Sequence, residues 1–116
     1  MHFLTSAVVP AAQGSAKITK DANNNYAVHV KIKNLAEPDR LQPKKSVYVV
    51  WLVTKDQNIK NLGQLKSSSG FFSSVLEGEL ETVTPFYPTR IFITAEDEPN
   101  VQRPGNNNIL TTKASD

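Results

Sequence analysis

Few side chains in this chain are of the kinds that do chemistry. The histidines are His2 and His29. His2 lies in the first few residues, and His29 lies beside Lys31 in a polar register. There is no His-x-x-x-His spacing and no local His/Asp cluster, so no zinc site is expected. Three carboxylates stand together at Glu96-Asp97-Glu98. Carboxylates at a strand end can hold calcium, but calcium wants about six to eight oxygens. Nothing else in the sequence converges on that loop. A solvated loop end near Arg90 or Arg103 is the plainer reading. A small metal-dependent hydrolase would have to assemble from Glu96, Asp97 and His29. Ser67, Ser68 and Ser69 lack the Gly-x-Ser-x-Gly frame of an activated nucleophile and read as a turn. The glycines form no phosphate-cradling pattern. Two aromatic pairs remain, Phe71-Phe72 and Phe86-Tyr87, each beside turns or prolines. Neighbours on a strand face opposite ways, so one of each pair can be core and the other exposed to a sugar or a protein. The plainer reading is that both pairs plug the ends of the fold. Phe72, Tyr87, Glu96, Asp97, Glu98 and Arg103 are thus the candidate interaction surface. No catalytic, cofactor-binding or metal-binding residue is assigned, and no cofactor is expected.

Composition narrows the class. The 116 residues suffice for one domain with a real core, here taken as 1–116. With 39% apolar and 21% charged residues, the chain reads as globular. Thirteen basic and 11 acidic residues give a net charge of +2, which is no footprint for nucleic acid or an anionic membrane. There is no cysteine, which excludes disulfides, thiolate metal sites and cysteine catalysis, while leaving the compartment open. No apolar run approaches the roughly 20 residues of a membrane-spanning helix. Residues 1–5 are too short for a secretory signal. They are expected to be unstructured, or an added start standing where a leader was removed.

The elements that must position these residues are strands. Ser46 to Thr54, Ser-Val-Tyr-Val-Val-Trp-Leu-Val-Thr, is rich in β-branched and aromatic residues and contains the single Trp. Both of its faces are apolar, so a central strand covered on both sides is expected. Tyr26 to Lys33 alternates cleanly, with Tyr26, Val28, Val30 and Ile32 one way and Ala27, His29, Lys31 and Lys33 the other. It should pair in a hairpin with 15–20 across the Asp/Asn turn at 21–25. A short edge strand is expected at 6–10. A crossover between sheets is expected at 35–45, with Leu41 inward. A return strand is expected at 59–62, broken by Gly63, and a flexible turn at 67–70. Further strands are expected at 71–76, 89–95 and 109–112, with a solvated acidic edge at 77–81 and a corner at 85–88. Pro99, Pro104 and Gly105 make 96–108 a long surface connection at one end of the domain. Turn signals about every 8–12 residues and roughly seven to nine strands indicate an antiparallel β-sandwich of immunoglobulin-like type. Its expected core is Val28, Val30, Ile32, Val49, Trp51, Val53, Ile91 and Ile93, with Trp51 in the place of the core Trp of such sandwiches.

Four pieces in order carry a resemblance. They are Tyr48-Val49-Val50-Trp51-Leu52-Val53, Asn61-Leu62-Gly63-Gln64-Leu65, Ile91-Phe92-Ile93-Thr94-Ala95-Glu96, and Pro104 before Ile109-Leu110. Together, over about residues 46–112, they resemble the C-terminal domain of anti-sigma-K factors, and the chain looks like small exported proteins of Bacteroidetes type that carry this domain alone. The resemblance implies an extracytoplasmic β-sandwich, periplasmic or at the cell surface, with or without a lipid anchor. In that family a helical cytoplasmic part binds sigma, followed by a membrane span. Neither is read in these residues, so sigma inhibition is not carried over.

The expectation is therefore a non-enzymatic exported module with a binding, sensing or structural role at the cell envelope. Its partner would be another protein or envelope component, with no nucleic acid and no membrane contact beyond an N-terminal anchor. The alternatives are a carbohydrate-binding module using Phe72 and Tyr87, and the small hydrolase named above.

Overall fold

β3 (Val47–Val53) lies at the centre of its sheet, bonded to β4 (Ile59–Gln64) on one side and β7 (Arg90–Glu96) on the other. β8 (Asn108–Thr111) completes that sheet in the order β4-β3-β7-β8. This computed structural model describes residues 1–69 and 76–113. A second four-stranded sheet has the order β1-β2-β6-β5, built from β1 (Gln13–Lys20), β2 (Tyr26–Leu35), β5 (Lys66–Ser69) and β6 (Leu76–Thr84). All pairings are antiparallel. Among the described residues there is no α-helix, and none long and apolar enough to cross a membrane.

The two sheets pack face to face in a sandwich-like arrangement. Between them lie Val28, Val30 and Ile32 of β2, Tyr48, Val50 and Leu52 of β3, Ile91 and Ile93 of β7, and Leu110 of β8. The clean alternation of β2 thus points as its sequence suggests. β3 differs from expectation. Val49, Trp51 and Val53 are buried, but on the outer face of their sheet, in a cluster of their own with Phe92. Trp51 does not occupy the inter-sheet position of a core Trp. A strand apolar on both faces says that both are covered, not which one meets the other sheet.

The chain passes between sheets at three described places. The segment after β2 crosses over through a 3-10 turn at Pro38–Arg40, with Leu41 turned into the core as expected. The Tyr48 phenol, inside that core, donates to Ala36 O at 2.6 Å and pins the start of the crossover. Leu65 is the single residue between β4 and β5. It is buried, and its N–H donates to Tyr48 O. The 85–89 corner carries β6 into β7.

Several boundaries are corrected. Gly63 does not end β4. With φ at +131°, it takes up the register shift opposite Val50 and Trp51, and the strand continues. The serines at 67–69 belong to β5 rather than to a turn. The alternation Glu77-Gly78-Glu79-Leu80-Glu81 is not a sheet edge but lies within β6, an interior strand between β2 and β5. Gly78 is inward, where an added Cβ would meet Leu65 and Leu35 at 3.1 and 3.2 Å, and the glutamates face out. The expected edge strand at 6–10 is a bend, closed by Ser6 Oγ accepting from the Val8 and Val9 amides. Residues 1–5 are not unstructured. His2 bridges to Ser15, Phe3 bridges to Thr112, and the Met1 ammonium donates to Ala16 O. The strand expected at 71–76 lies outside the described residues except for Leu76, where β6 begins.

Candidate functional site

Three places bring chemistry-bearing residues together, and each is built by strand register. The first is the outer face of the β4-β3-β7-β8 sheet. Trp51 and Phe92 are cross-strand partners, with rings stacked at 6.2 Å. Trp51 is 0% exposed, and Val101 from the 97–107 segment packs against its cluster. The indole Nε1–H donates to Thr94 Oγ1 at 2.8 Å, Thr94 Oγ1–H donates to Glu96 Oε2 at 2.6 Å, and the Gly105 amide donates to the same carboxylate oxygen at 2.8 Å. Phe92, Thr94 and Glu96 alternate along β7, which puts all three on this face. The Asn61 carboxamide donates to Pro99 O at 3.0 Å and to Val101 O at 2.8 Å. The segment is therefore stitched down along its length. It is a connection between the last two strands, as its prolines suggest, but it runs across the sheet rather than standing at one end of the domain.

This placement revises the acidic triplet. Glu96 is buried and spent on Thr94 and Gly105, so it is not part of an interaction surface. Gly105 comes close because it lacks a side chain; a Cβ there would meet Glu96 Oε1 at 3.1 Å. Asp97 is exposed and pairs with Lys45 at 3.6 Å, and Glu98 and Arg103 are exposed. The three carboxylates do not converge on one point. His29 is on the outer face of the other sheet, with the core between it and Glu96, so the hydrolase set of Glu96, Asp97 and His29 is not assembled.

The second place is the corner after β6. Phe86 and Tyr87 are each 43% exposed, so neither plugs the core and neither is buried while its neighbour is exposed. Phe72 and Phe71 lie outside the described residues. The corner's backbone is held at both ends. Thr84 Oγ1 accepts from the Phe86 amide at 3.3 Å, and the Thr89 amide and hydroxyl both donate to Val53 O at 2.8 Å. Phe86 reaches toward one sheet, where the Lys60 ammonium sits 5.0 Å from its ring centre. Tyr87 reaches toward the other, where it meets Tyr26 edge to face at 5.3 Å.

The third place is visible only once the strands are paired. β2 and β6 set His29 opposite Glu81, with Glu79 two residues along on the same outer face. His29 Nε2 lies 3.0 Å from Glu79 Oε2 and 3.6 Å from Glu81 Oε1. Fifty residues separate the histidine from Glu79 in sequence. The signal that could have found it is the i, i+2 spacing of Glu77, Glu79 and Glu81, which puts three carboxylates on one face if 77–81 is read as a strand.

Compared with known protein families, with curated proteins and with solved structures, the chain matches none.

Proposed function

We propose that this chain is a non-enzymatic binding module of the immunoglobulin-like class, working outside the cytoplasm, that meets a protein or envelope partner through its 85–88 corner. One observation carries the reading: two adjacent aromatic side chains, Phe86 and Tyr87, are each 43% exposed on a corner hooked to the end of β3. Exposed aromatics on a held backbone lose little entropy on binding and bring large contact area, which is why they anchor interfaces. The class assignment is supported by strand order. The orders β1-β2-β6-β5 and β4-β3-β7-β8 correspond to strands A-B-E-D and C′-C-F-G of that class. Its departure is Trp51, which sits on the strand C equivalent but faces outward.

The likeness to anti-sigma-K C-terminal domains supports the placement outside the cytoplasm. Trp51, Thr94 and Glu96, three of the residues that carry it, form a single hydrogen-bonded chain. It thus rests on residues with a structural use, and it implies fold and placement rather than sigma inhibition.

The test is a titration of an identified envelope partner. Tyr87→Ala and Phe86→Ala should each weaken binding by about 2 kcal/mol if they anchor the interface, while Lys31→Ala leaves it unchanged. Affinity untouched by both aromatic substitutions overturns the surface. Binding to a glycan array that disappears in Tyr87→Ala makes the partner a carbohydrate instead.

A further inference from the structure

The outer face of the β1-β2-β6-β5 sheet presents three potential ligand atoms that point at one spot. We propose that His29, Glu79 and Glu81 bind a divalent transition-metal ion, with zinc the best fit to the donor set.

The argument begins with register. Antiparallel pairing holds directly opposed side chains about 5 Å apart at Cβ, and His29 and Glu81 are such a pair. Glu79 follows two residues away on the same face, so the three side chains spring from a rigid interior pair of strands rather than from a loop. The ligand atoms, His29 Nε2 and one oxygen from each glutamate, all lie within 4.8 Å of one another. Zinc bonds imidazole nitrogen and carboxylate oxygen at about 2.0–2.2 Å, which makes the edge of a tetrahedral site roughly 3.4 Å. The separations of 3.0 and 3.6 Å from His29 Nε2 bracket that edge.

A hydrogen bond from His29 satisfies one of the two carboxylates, and the second is left beside it. A ring nitrogen carries at most one proton. Glu79 is close enough to take it at 3.0 Å, which leaves Glu81 facing the same nitrogen at 3.6 Å with no proton of its own. Two like charges brought to one imidazole repel unless a positive charge lies between them, which either a protonated ring or a bound cation supplies. Two carboxylates and a neutral imidazole carry a charge of about −2, which a divalent ion balances, and imidazole with carboxylate is a donor set that zinc accepts. Competing cations are present. In register, Lys17 is opposite His29, and Lys31 and Lys66 flank Glu79 on either side. The ion pairs that Glu79 and Glu81 make, among the described residues, go to His29.

With side chains 39%, 51% and 72% exposed, the site leaves at least one coordination position to water or to a donor from another molecule. A bound ion would tie β2 to β6 on the open side of the sandwich. The proposal is independent of the 85–88 corner, and either can fail alone.

The experiment is calorimetric titration of the chain with zinc alone in chelator-free buffer, with thermal melts alongside. One equivalent should bind, and the melting temperature should rise with zinc, because an ion held only by the folded chain stabilises it. His29→Ala and the double variant Glu79→Gln with Glu81→Gln should each weaken binding at least about tenfold, yet melt with the wild-type chain when zinc is withheld. His2→Ala, which removes the other imidazole, should leave binding intact. Absence of heat and of any melting shift at millimolar zinc overturns the site. So does binding that is lost in His2→Ala and kept in His29→Ala, which would place the ion at the N-terminus.

Discussion

The two sheets meet the solvent in opposite ways. The outer face of β4-β3-β7-β8 is covered by its own chain: Val101 of the 97–107 segment packs against the cluster of Val49, Trp51, Val53 and Phe92, and the segment is held by Asn61 and Glu96. Among the described residues nothing comparable lies over the middle of the outer face of β1-β2-β6-β5, which displays lysines, His29 and the β6 glutamates. Polar residues do opposite work on the two faces. Under the segment, Glu96 and Thr94 are internal fasteners, with Glu96 Oε2 accepting from both the Thr94 hydroxyl and the Gly105 amide. On the open face, His29, Glu79 and Glu81 engage one another at the solvent-exposed surface. A carboxylate's sequence neighbours do not distinguish these uses. Whether a loop folds back across the sheet does.

The sharpest way to break that comparison is Trp51→Ala. If the covered face behaves as core, the loss is about 3–5 kcal/mol in denaturant unfolding, and Thr94 loses its indole donor as well. Glu96→Ala comes next. It leaves the Gly105 amide and the Thr94 hydroxyl without their acceptor, which should cost about 1–3 kcal/mol. Tyr48→Phe probes the interior between the faces. Burial pushes the Tyr48 phenol up from 10.0 to about 12. The folded chain then holds this proton more tightly than the unfolded one. Its contribution is complete below about pH 10 and is lost as pH rises toward about 12. Tyr48→Phe should remove that part of the alkaline slope in pH-dependent unfolding, and should cost about 1 kcal/mol at neutral pH through the bond to Ala36. Lys31→Ala on the open face should stay within about 0.5 kcal/mol; a larger loss would mean that this face, too, is covered.

How much of this was legible in the sequence depends on where the apolar residues sit. β2 could be read strand and face together, because its apolar and polar positions alternate. β3 could be read as a covered central strand, but its inner face could not be chosen, since Tyr48, Val50 and Leu52 are as apolar as Val49, Trp51 and Val53. The cover itself was hidden. Its contribution to the Trp51 cluster is Val101, within a stretch of prolines, asparagines and charges that reads as solvated. β6 was misread for the converse reason: three glutamates on its outer face mask Gly78 and Leu80 beneath. The His29 cluster needed the β2–β6 register, which no local spacing supplies. Tyr87 was legible as a candidate and Phe86 was not, and their equal exposure follows from a corner that splays one ring toward each sheet.

The claim that one face is closed by its own chain can be tested through the single tryptophan, which reports from directly beneath the 97–107 segment. Acrylamide quenching of its fluorescence in the native protein should be weak, with blue-shifted emission. Quenching should rise in Glu96→Ala, under conditions where that variant is still folded by circular dichroism. Native-state quenching as efficient as in the denatured chain would contradict the account, because it would put Trp51 in contact with solvent and leave both outer faces open.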